Sequence, residues 1–266
     1  MNYLNILVST FFLLGISLNI TSHFISVGVV GPVSKPTFLC LIQNEFADQW
    51  NPYAIIRIYQ NSVSPPGIDP YGIQTITNAY MVHNPPPHLF PYAVSPSMEI
   101  CRGIDGPSQI IAVNTALRNA VRRRLFRLNF LVVLKIEPSP NPTCSWESFT
   151  NQQNCDFLKA TLSQAIASGW VPILFSTAPI WSHFFGSTCN TIPTDFNNVP
   201  LLWYANYLAN GKVNETQSFD DFVPFGGFSV SAGNVYMKQT GGNVTVPLCN
   251  NPKSTAFIDY IWGPSI

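Results

Sequence analysis

Short apolar segments rich in β-branched and aromatic residues recur along the chain, and they constrain its fold more than any other feature. Several, such as Phe130–Leu134, are apolar at consecutive positions, which is typical of strands covered on both faces. A sheet of such strands needs helices packed against it. The predicted strands are Ile25–Val30, Ala54–Gln60, His88–Val94, Phe130–Glu137, Val171–Ser176, Leu201–Tyr207, Val235–Thr240 and Phe257–Trp262.

Helical patterns separate many of these strands. Ser108 could cap a helix with apolar positions from Ile110 to Leu128, and a second helix covers Cys155 to Ile166, with Gly169 placed to end it. Weaker helical patterns occupy Thr37–Asn44 and Tyr71–Met81. Strands alternating with helices predict one α/β domain over residues 21–266, an irregular TIM-like β/α barrel. The helical signal fades after Pro200, so we expect the irregularity there.

The composition excludes several classes of function. Only 10% of the 266 residues are charged and the formal net charge is zero, so long-range attraction to nucleic acid is not expected. Apolar residues make up 46% of the chain, which argues against intrinsic disorder.

The start of the chain indicates export. Ile6–Ile16 is an apolar run too short for a membrane span, and small residues follow it, so we interpret residues 1–20 as a signal peptide. The alternative is an uncleaved anchor, because this segment has no Lys or Arg. We expect a secreted monomer, with no membrane contact after cleavage.

Six cysteines and two glycosylation tripeptides agree with export. Six cysteines allow many pairings, and Cys144 with Cys155 could close a local loop, but the sequence leaves the connectivity open. The tripeptides begin at Asn214 and Asn243. An arginine cluster from Arg118 to Arg127 fits either the solvated face of a helix or a site for an anionic ligand.

The most informative candidate for chemistry is Glu137, because a carboxyl at the end of a barrel strand lies at the mouth where active sites collect. A partly buried carboxyl there could protonate a leaving oxygen. Lys135, two residues earlier, points to the same side of the strand. The alternative is therefore that Lys135 and Glu137 form a structural ion pair.

Other candidate residues are few. Asp259 lies in the last predicted strand, and Asp220 and Asp221 are assigned to a turn. Aromatic rings at a barrel mouth can stack on sugars, although most fill cores, so Trp203, Tyr204 and Tyr207 are candidate substrate-binding residues. The histidines have no metal-site spacing, and we expect neither metal nor cofactor.

The chain resembles glycoside hydrolase family 25 lysozymes, in their invertebrate branch. The matching stretches occur in the family's order and span nearly all of the mature chain. They are Ala54–Gln60, Phe90–Pro91, Phe130–Glu137, Gly169–Thr177, Leu202–Tyr207, Phe222–Gly227 and Met237–Gln239. The resemblance implies an irregular β/α barrel that cleaves bacterial peptidoglycan next to N-acetylmuramic acid.

The resemblance also implies a degenerate catalytic site. The family's Asp-x-Glu motif here reads Lys135-Ile136-Glu137, so the proton donor is kept and the Asp is replaced. A first-strand Asp falls at about Gly28, another falls near Pro86 or Pro87, and the last-strand Asp is retained as Asp259. A cation in place of an Asp opposes the positive charge of an oxocarbenium-like transition state.

Three functions remain open from the sequence. The first is a secreted lysozyme-like protein with impaired catalysis that binds peptidoglycan or a related glycan in innate defence. The second is an active muramidase that uses Glu137 and Asp259. The third is an exported scaffold or partner-binding protein without enzymatic activity.

Overall fold

The fold is built on one mixed β-sheet, which curls around a layer of buried side chains. The structure is a computed structural model that describes residues 21–29, 33–34, 36–37, 40, 53–82, 93–120, 131–208, 214–248 and 251–264. The predicted signal peptide, most of the predicted helix at Thr37–Asn44, the arginine cluster beyond Ala120, and Asn243's side chain lie outside this description.

The described strands are β1 (Thr21–Val29), β2 (Tyr53–Gln60), β3 (Gly67–Ile68), β4 (Ala93–Glu99), β5 (Leu131–Lys135), β6 (Val171–Ser176), β7 (Leu201–Ala205), β8 (Val235–Leu248) and β9 (Asn251–Pro264). Parallel pairing runs through most of the sheet. Strand β1 pairs with β2, and parallel pairing continues through β4, β5, β6 and β7 to β8. The last strand, β9, is antiparallel to both β8 and β1.

Helices pack on the outer face of this sheet. The described helices are α1 (Pro70–Val82), α2 (Gly106–Ala120), α3 (Asn151–Ala167), α4 (Ala178–Phe185) and α5 (Ile192–Asp195). The fold is thus a single α/β domain with a curled sheet, as predicted. It is not a regular closed TIM barrel, because β8 and β9 form an antiparallel hairpin.

Alternating side chains supply two separate apolar layers. Among the side chains that the structure describes, the layer inside the curled sheet contains nine buried residues: Ile55, Leu131, Val133, Ile173, Phe175, Trp203, Ala205, Met237 and Ile261. The layer between sheet and helices takes the intervening positions, such as Val132 and Leu134. Both faces of β5 are therefore buried, which explains why its sequence is apolar at consecutive positions.

The strand predicted at His88–Val94 ends too early, because β4 runs from Ala93 to Glu99; residues 88–92 lie outside the described part of the chain. Ser95, Pro96 and Ser97 look like a turn in sequence. In the structure the side chains of Ser95 and Ser97 are buried, and Val94 and Met98 pack in the outer layer. Strand β5 ends at Lys135 and β7 at Ala205, so both are two residues shorter at their ends than predicted.

Local helix signals were mostly right. Helix α3 begins with a capping box of Thr150 and Gln153, and Gly169, at φ 87°, follows its end as predicted. Helix α2 begins at Gly106, and its cap is Asp105 rather than Ser108. The carboxylate of Asp105 accepts hydrogen bonds from the backbone and hydroxyl of Ser108.

The disulfides join distant segments. Cys101 pairs with Cys144 and Cys155 pairs with Cys189, so the local Cys144–Cys155 loop is wrong. These cysteines come together because neighbouring helices and strand ends pack side by side, which no cysteine spacing reveals. Cys40 is also disulfide-bonded.

Candidate functional site

Charged residues meet where β2, β4 and β5 end, inside the mouth of the curled sheet. Arg57 donates from Nη1 to Oε1 of Glu99 at 3.1 Å, and its Nη2 is 3.6 Å from Oδ2 of Asp69. The other oxygen of Glu99 accepts the backbone N–H of Asn61 at 3.2 Å. Glu99 is thus held by a guanidinium and a backbone donor. The sequence analysis missed both residues: it ended the strand at Val94, short of Glu99, and it gave Arg57, within the predicted strand Ala54–Gln60, no role.

Lys135 lies beside this group and reaches into the interior. Its Cα is the register partner of Glu99 on β4. Its Nζ lies 5.2 Å from the ring centroid of Phe175 and 5.4 Å from that of Trp203. An ammonium over aromatic faces is stabilised by the ring quadrupoles. The mouth therefore holds a cation at the position where the lysozyme resemblance implies an Asp.

The structure describes the two predicted acids to different extents. Glu137 follows β5 by two residues and is half-buried. Asp259 lies opposite Ser26 in the β9–β1 pairing, and Gly28 lies opposite Phe257. The side chain of Asp259 is outside the description. The catalytic roles of Glu137 and Asp259, and the ion pair between Lys135 and Glu137, stay predictions.

The three predicted aromatic residues occupy three different environments. Trp203 is fully buried inside the sheet, with its ring centroid 4.6 Å from that of Phe175. Tyr204 faces the outer layer and is also buried. Tyr207 is 50% exposed. Of the three, Tyr207 is therefore the residue best placed to contact a ligand directly.

A cleft of about 100 Å³ opens beside the ends of β6 and β7. Tyr204 and Tyr207 line one side, and the segment from Asp221 to Phe225 lines the other. Pro179, at the start of α4, and Asn206 complete much of the wall. The cleft thus combines aromatic and apolar surface with a few polar groups, as sites for small ligands commonly do.

Asp221 anchors one wall of the cleft through a group that we call the Asp221 cluster. Its carboxylate accepts the hydroxyl of Tyr204 at 2.8 Å, Nδ2 of Asn206 at 2.9 Å and Nδ2 of Asn214 at 2.8 Å. Nζ of Lys238 lies 2.9 Å from the same oxygen, Oδ2, that the two amides contact. The cluster therefore consists of Asp221, Tyr204, Asn206, Asn214 and Lys238.

Lys238 is the most deeply buried charged member of the cluster. Its side chain is fully buried, and Nζ also donates to the carbonyl of Thr216 at 2.7 Å. The sequence analysis assigned Asp221 to a turn and gave Lys238 no role. The one available signal was a lysine inside the apolar run Val235–Thr240.

The cluster shifts the pKa of its acidic groups in opposite directions. Burial favours the neutral carboxyl of Asp221, but hydrogen bonds from Asn206, Lys238 and Tyr204 outweigh it and hold the pKa below its usual value. Burial, and then the adjacent Asp221 carboxylate, raise the pKa of the Tyr204 phenol. At neutral pH the cluster therefore contains an ionised carboxylate and a neutral tyrosine.

Polar atoms inside the sheet also lack partners. Within the described residues, no hydrogen bond reaches Oγ of Ser97, Oε1 of Gln239 or Nε1 of Trp203, all of them buried. Buried polar atoms are usually paired.

The described residues contain no cluster of three or more His, Cys, Asp or Glu side chains that could hold a metal ion. None of their helices is long and apolar enough to cross a membrane.

Comparison with known families identifies the chain's relatives. A family profile described as Lysozyme-like protein 1 matches residues 19–239. The chain belongs to this lysozyme-like family. The match covers β1 through most of the parallel strands, the mouth with Arg57, Glu99 and Lys135, and the Asp221 cluster as far as Lys238. No curated protein matches the chain.

Two solved structures are among those with some similarity to the chain. Both are of the modular autolysin LytC from Streptococcus pneumoniae, one of them in complex with a synthetic peptidoglycan ligand. Each is 8% identical, with a TM-score of 0.49, over 91% of this chain. The lysozyme-like chain spans 46% of the LytC chain, which is less than half of its length.

Proposed function

We propose that this lysozyme-like protein is a secreted, catalytically impaired member of glycoside hydrolase family 25, in its invertebrate branch, that binds bacterial peptidoglycan or a related glycan in innate defence. The observation that carries the proposal is Lys135, whose ammonium lies inside the mouth over Phe175 and Trp203. Under the family resemblance, this position would hold the Asp of the catalytic pair.

Electrostatics explain why this arrangement disfavours hydrolysis. Cleavage of a glycosidic bond passes through a state with positive charge on the sugar ring, which carboxylates stabilise. Lys135 presents the opposite sign. Glu99, the acid on the neighbouring strand, is held by Arg57 and the Asn61 N–H and has less free capacity to assist. Loss of one preorganised charge costs about 10²–10³ in rate.

Binding requires less than catalysis does, and the cleft retains what binding needs. Tyr207 presents an exposed ring, and Phe222 and Phe225 add apolar surface. Sugar rings have apolar faces that stack on aromatic side chains, while their hydroxyl groups need polar partners such as Asn206 and Asp221. The cleft therefore suits one or two sugar units of a longer glycan.

The binding test compares two tyrosines that are equally exposed. Tyr207 and Tyr71 are each 50% exposed, but Tyr71 lies at the start of α1, away from the cleft. We expect Tyr207→Ala to weaken binding of soluble peptidoglycan fragments about 10-fold, which corresponds to about 1.4 kcal/mol. Tyr71→Ala should bind as the unchanged protein does. Calorimetry or fluorescence titration measures both, and equal affinities would contradict the cleft as the site.

The hydrolysis test asks whether Glu137 matters. We expect release of reducing ends from peptidoglycan near background for the unchanged protein, and no further loss in Glu137→Gln. Ordinary lysozyme turnover that disappears in Glu137→Gln would identify an active muramidase instead. Neither turnover nor glycan binding would favour a scaffold without enzymatic activity.

A further inference from the structure

We propose that Lys238 and Asn214 form an intramolecular isopeptide bond, with Asp221 transferring the proton. This modification is independent of glycan binding and concerns the wall of the cleft. It rests on the placement of a buried amine, a carboxylate and a polarised amide within one cluster.

The amine of Lys238 and the side-chain amide of Asn214 both contact the same carboxylate oxygen of Asp221. Oδ2 of Asp221 lies 2.9 Å from Nζ of Lys238 and 2.8 Å from Nδ2 of Asn214. Nζ also donates to the carbonyl of Thr216, and Thr216 in turn contacts the side chain of Asn214. Nζ of Lys238 therefore contacts both Asp221 and Thr216, and each of these residues also hydrogen-bonds to the side chain of Asn214.

The carbonyl of Asn214 is polarised by two donors. Its Oδ1 accepts the backbone N–H of Thr216 at 3.1 Å and the Thr216 hydroxyl at 2.8 Å. Two donors on one carbonyl oxygen stabilise the negative charge that develops there when a nucleophile attacks the carbon. Asn214 is thus prepared as an electrophile.

The surroundings of Lys238 are aromatic. Its neighbours in register are Tyr204 on β7 and Trp262 on β9, and Phe219 packs against both rings. The lysine side chain is fully buried among them. Attack on the amide requires the neutral amine, and the carboxylate of Asp221, 2.9 Å from Nζ, is placed to take the proton as the reaction proceeds.

The reaction balances without any added reagent. Nζ gives one proton to Asp221 and forms a bond to Cγ of Asn214. The bond between Cγ and Nδ2 breaks, and its electron pair stays on Nδ2. That nitrogen takes one proton from Nζ and one from Asp221 and leaves as ammonium. One amide replaces another, so nothing is oxidised or reduced, and Asp221 ends as the carboxylate.

The bond would covalently attach Asn214, on the segment that also carries Asp221, to strand β8. It would also use the nitrogen to which a glycan at the Asn214 tripeptide would be attached. Cross-linking and glycosylation of Asn214 are therefore mutually exclusive.

Mass spectrometry of the full chain, secreted from a eukaryotic host with its disulfides intact, tests this proposal. We expect the intact mass to be lower by one ammonia, and tryptic mapping to find one branched peptide containing Asn214 and Lys238. The branched peptide should be absent from Asn214→Ala and from Lys238→Met. The matched control is Asn206→Ala, which removes another donor to the same oxygen and should keep the branched peptide.

Several results would overturn the proposal. They are an unlinked peptide with Lys238 unmodified, a glycan on Asn214, a lost ammonia confined to the Asn214 peptide as a cyclic imide, or a bond from Lys238 to Asn206. The unchanged protein alone decides among these, so the proposal remains falsifiable even where a variant fails to fold.

Discussion

Within the described part of the chain, two lysines lie among aromatic rings, and they differ in access to water. Lys135 stands at the open end of the curled sheet and is only partly buried, with Nζ over Phe175 and Trp203. Lys238 is fully buried on the outer face and contacts the carboxylate of Asp221. The first occupies a mouth that a ligand can enter, whereas the second helps to fix the wall of the cleft.

The difference shows how one residue type serves two purposes. A buried charge must be paired and hydrogen-bonded, since desolvation of an unpaired charge is costly. Lys238 meets this condition through Asp221 and Thr216. At the mouth, water can reach Lys135, so its charge changes the electrostatics of a site at a smaller cost in stability.

The largest expected effect is that of Lys238→Met. The substitution leaves the carboxylate of Asp221 without its cation, and breaking a buried pair by removing one partner costs about 3–5 kcal/mol. We expect a loss of that size in the free energy of unfolding, measured by urea denaturation. This figure applies to the chain before cross-linking; once the proposed bond has formed, Nζ is an amide nitrogen, and the loss would come from removal of the cross-link instead.

The matched control for this substitution is Lys159→Met. Lys159 pairs with Asp195 at 2.6 Å, but both side chains are 35% exposed. Exposed pairs contribute little to stability, so this variant should unfold almost as the unchanged protein does. If both variants lost the same free energy of unfolding, burial would not explain a difference in stability between the Lys238–Asp221 and Lys159–Asp195 pairs.

A smaller effect on the free energy of unfolding is expected at high pH, from a tyrosine that packs inside the sheet. Tyr236 packs against the interior layer, and burial raises the pKa of its phenol. Above about pH 10, the unfolded chain loses this proton while the folded chain keeps it, so the free energy of unfolding falls by about 1.4 kcal/mol per pH unit. Below pH 10, both states are protonated and the contribution is constant.

Substitution of this tyrosine checks the assignment. Tyr236→Phe should remove the contribution of one titrating proton, so the free energy of unfolding, measured from pH 8 to 11, should fall less steeply with pH. Tyr204 also has a raised pKa, so some decline should remain. An unchanged slope in Tyr236→Phe would mean that this phenol does not titrate differently in the two states.

The smallest expected effect is that of Lys135→Met. A cation over aromatic rings contributes about 0.5–1 kcal/mol at sites that water can reach, and Met keeps most of the side-chain volume. We therefore expect a loss of about 1 kcal/mol or less in urea denaturation. A loss as large as that of Lys238→Met would show that Lys135 is a structural residue, and would weaken its interpretation as a change in a catalytic site.

Local patterns in the sequence were sufficient for several elements. The apolar run Val171–Ser176 predicted β6 with its observed bounds, and Gly169 ended α3 because glycine accepts a positive φ. Strand β4 could not be located in this way. Its inward positions are Ser95 and Ser97, so the apolar run upstream gave a stronger signal than the strand itself.

The sequence by itself determined the fold class, because strands that are apolar on both faces require a layer on each side. It also determined that a lysine and a glutamate stand near the end of the fifth strand. Only the tertiary structure decided the partners of Arg57 and Lys238 and the cysteine pairs. These contacts join residues far apart in the chain, and the order in which strands and helices pack brings them together.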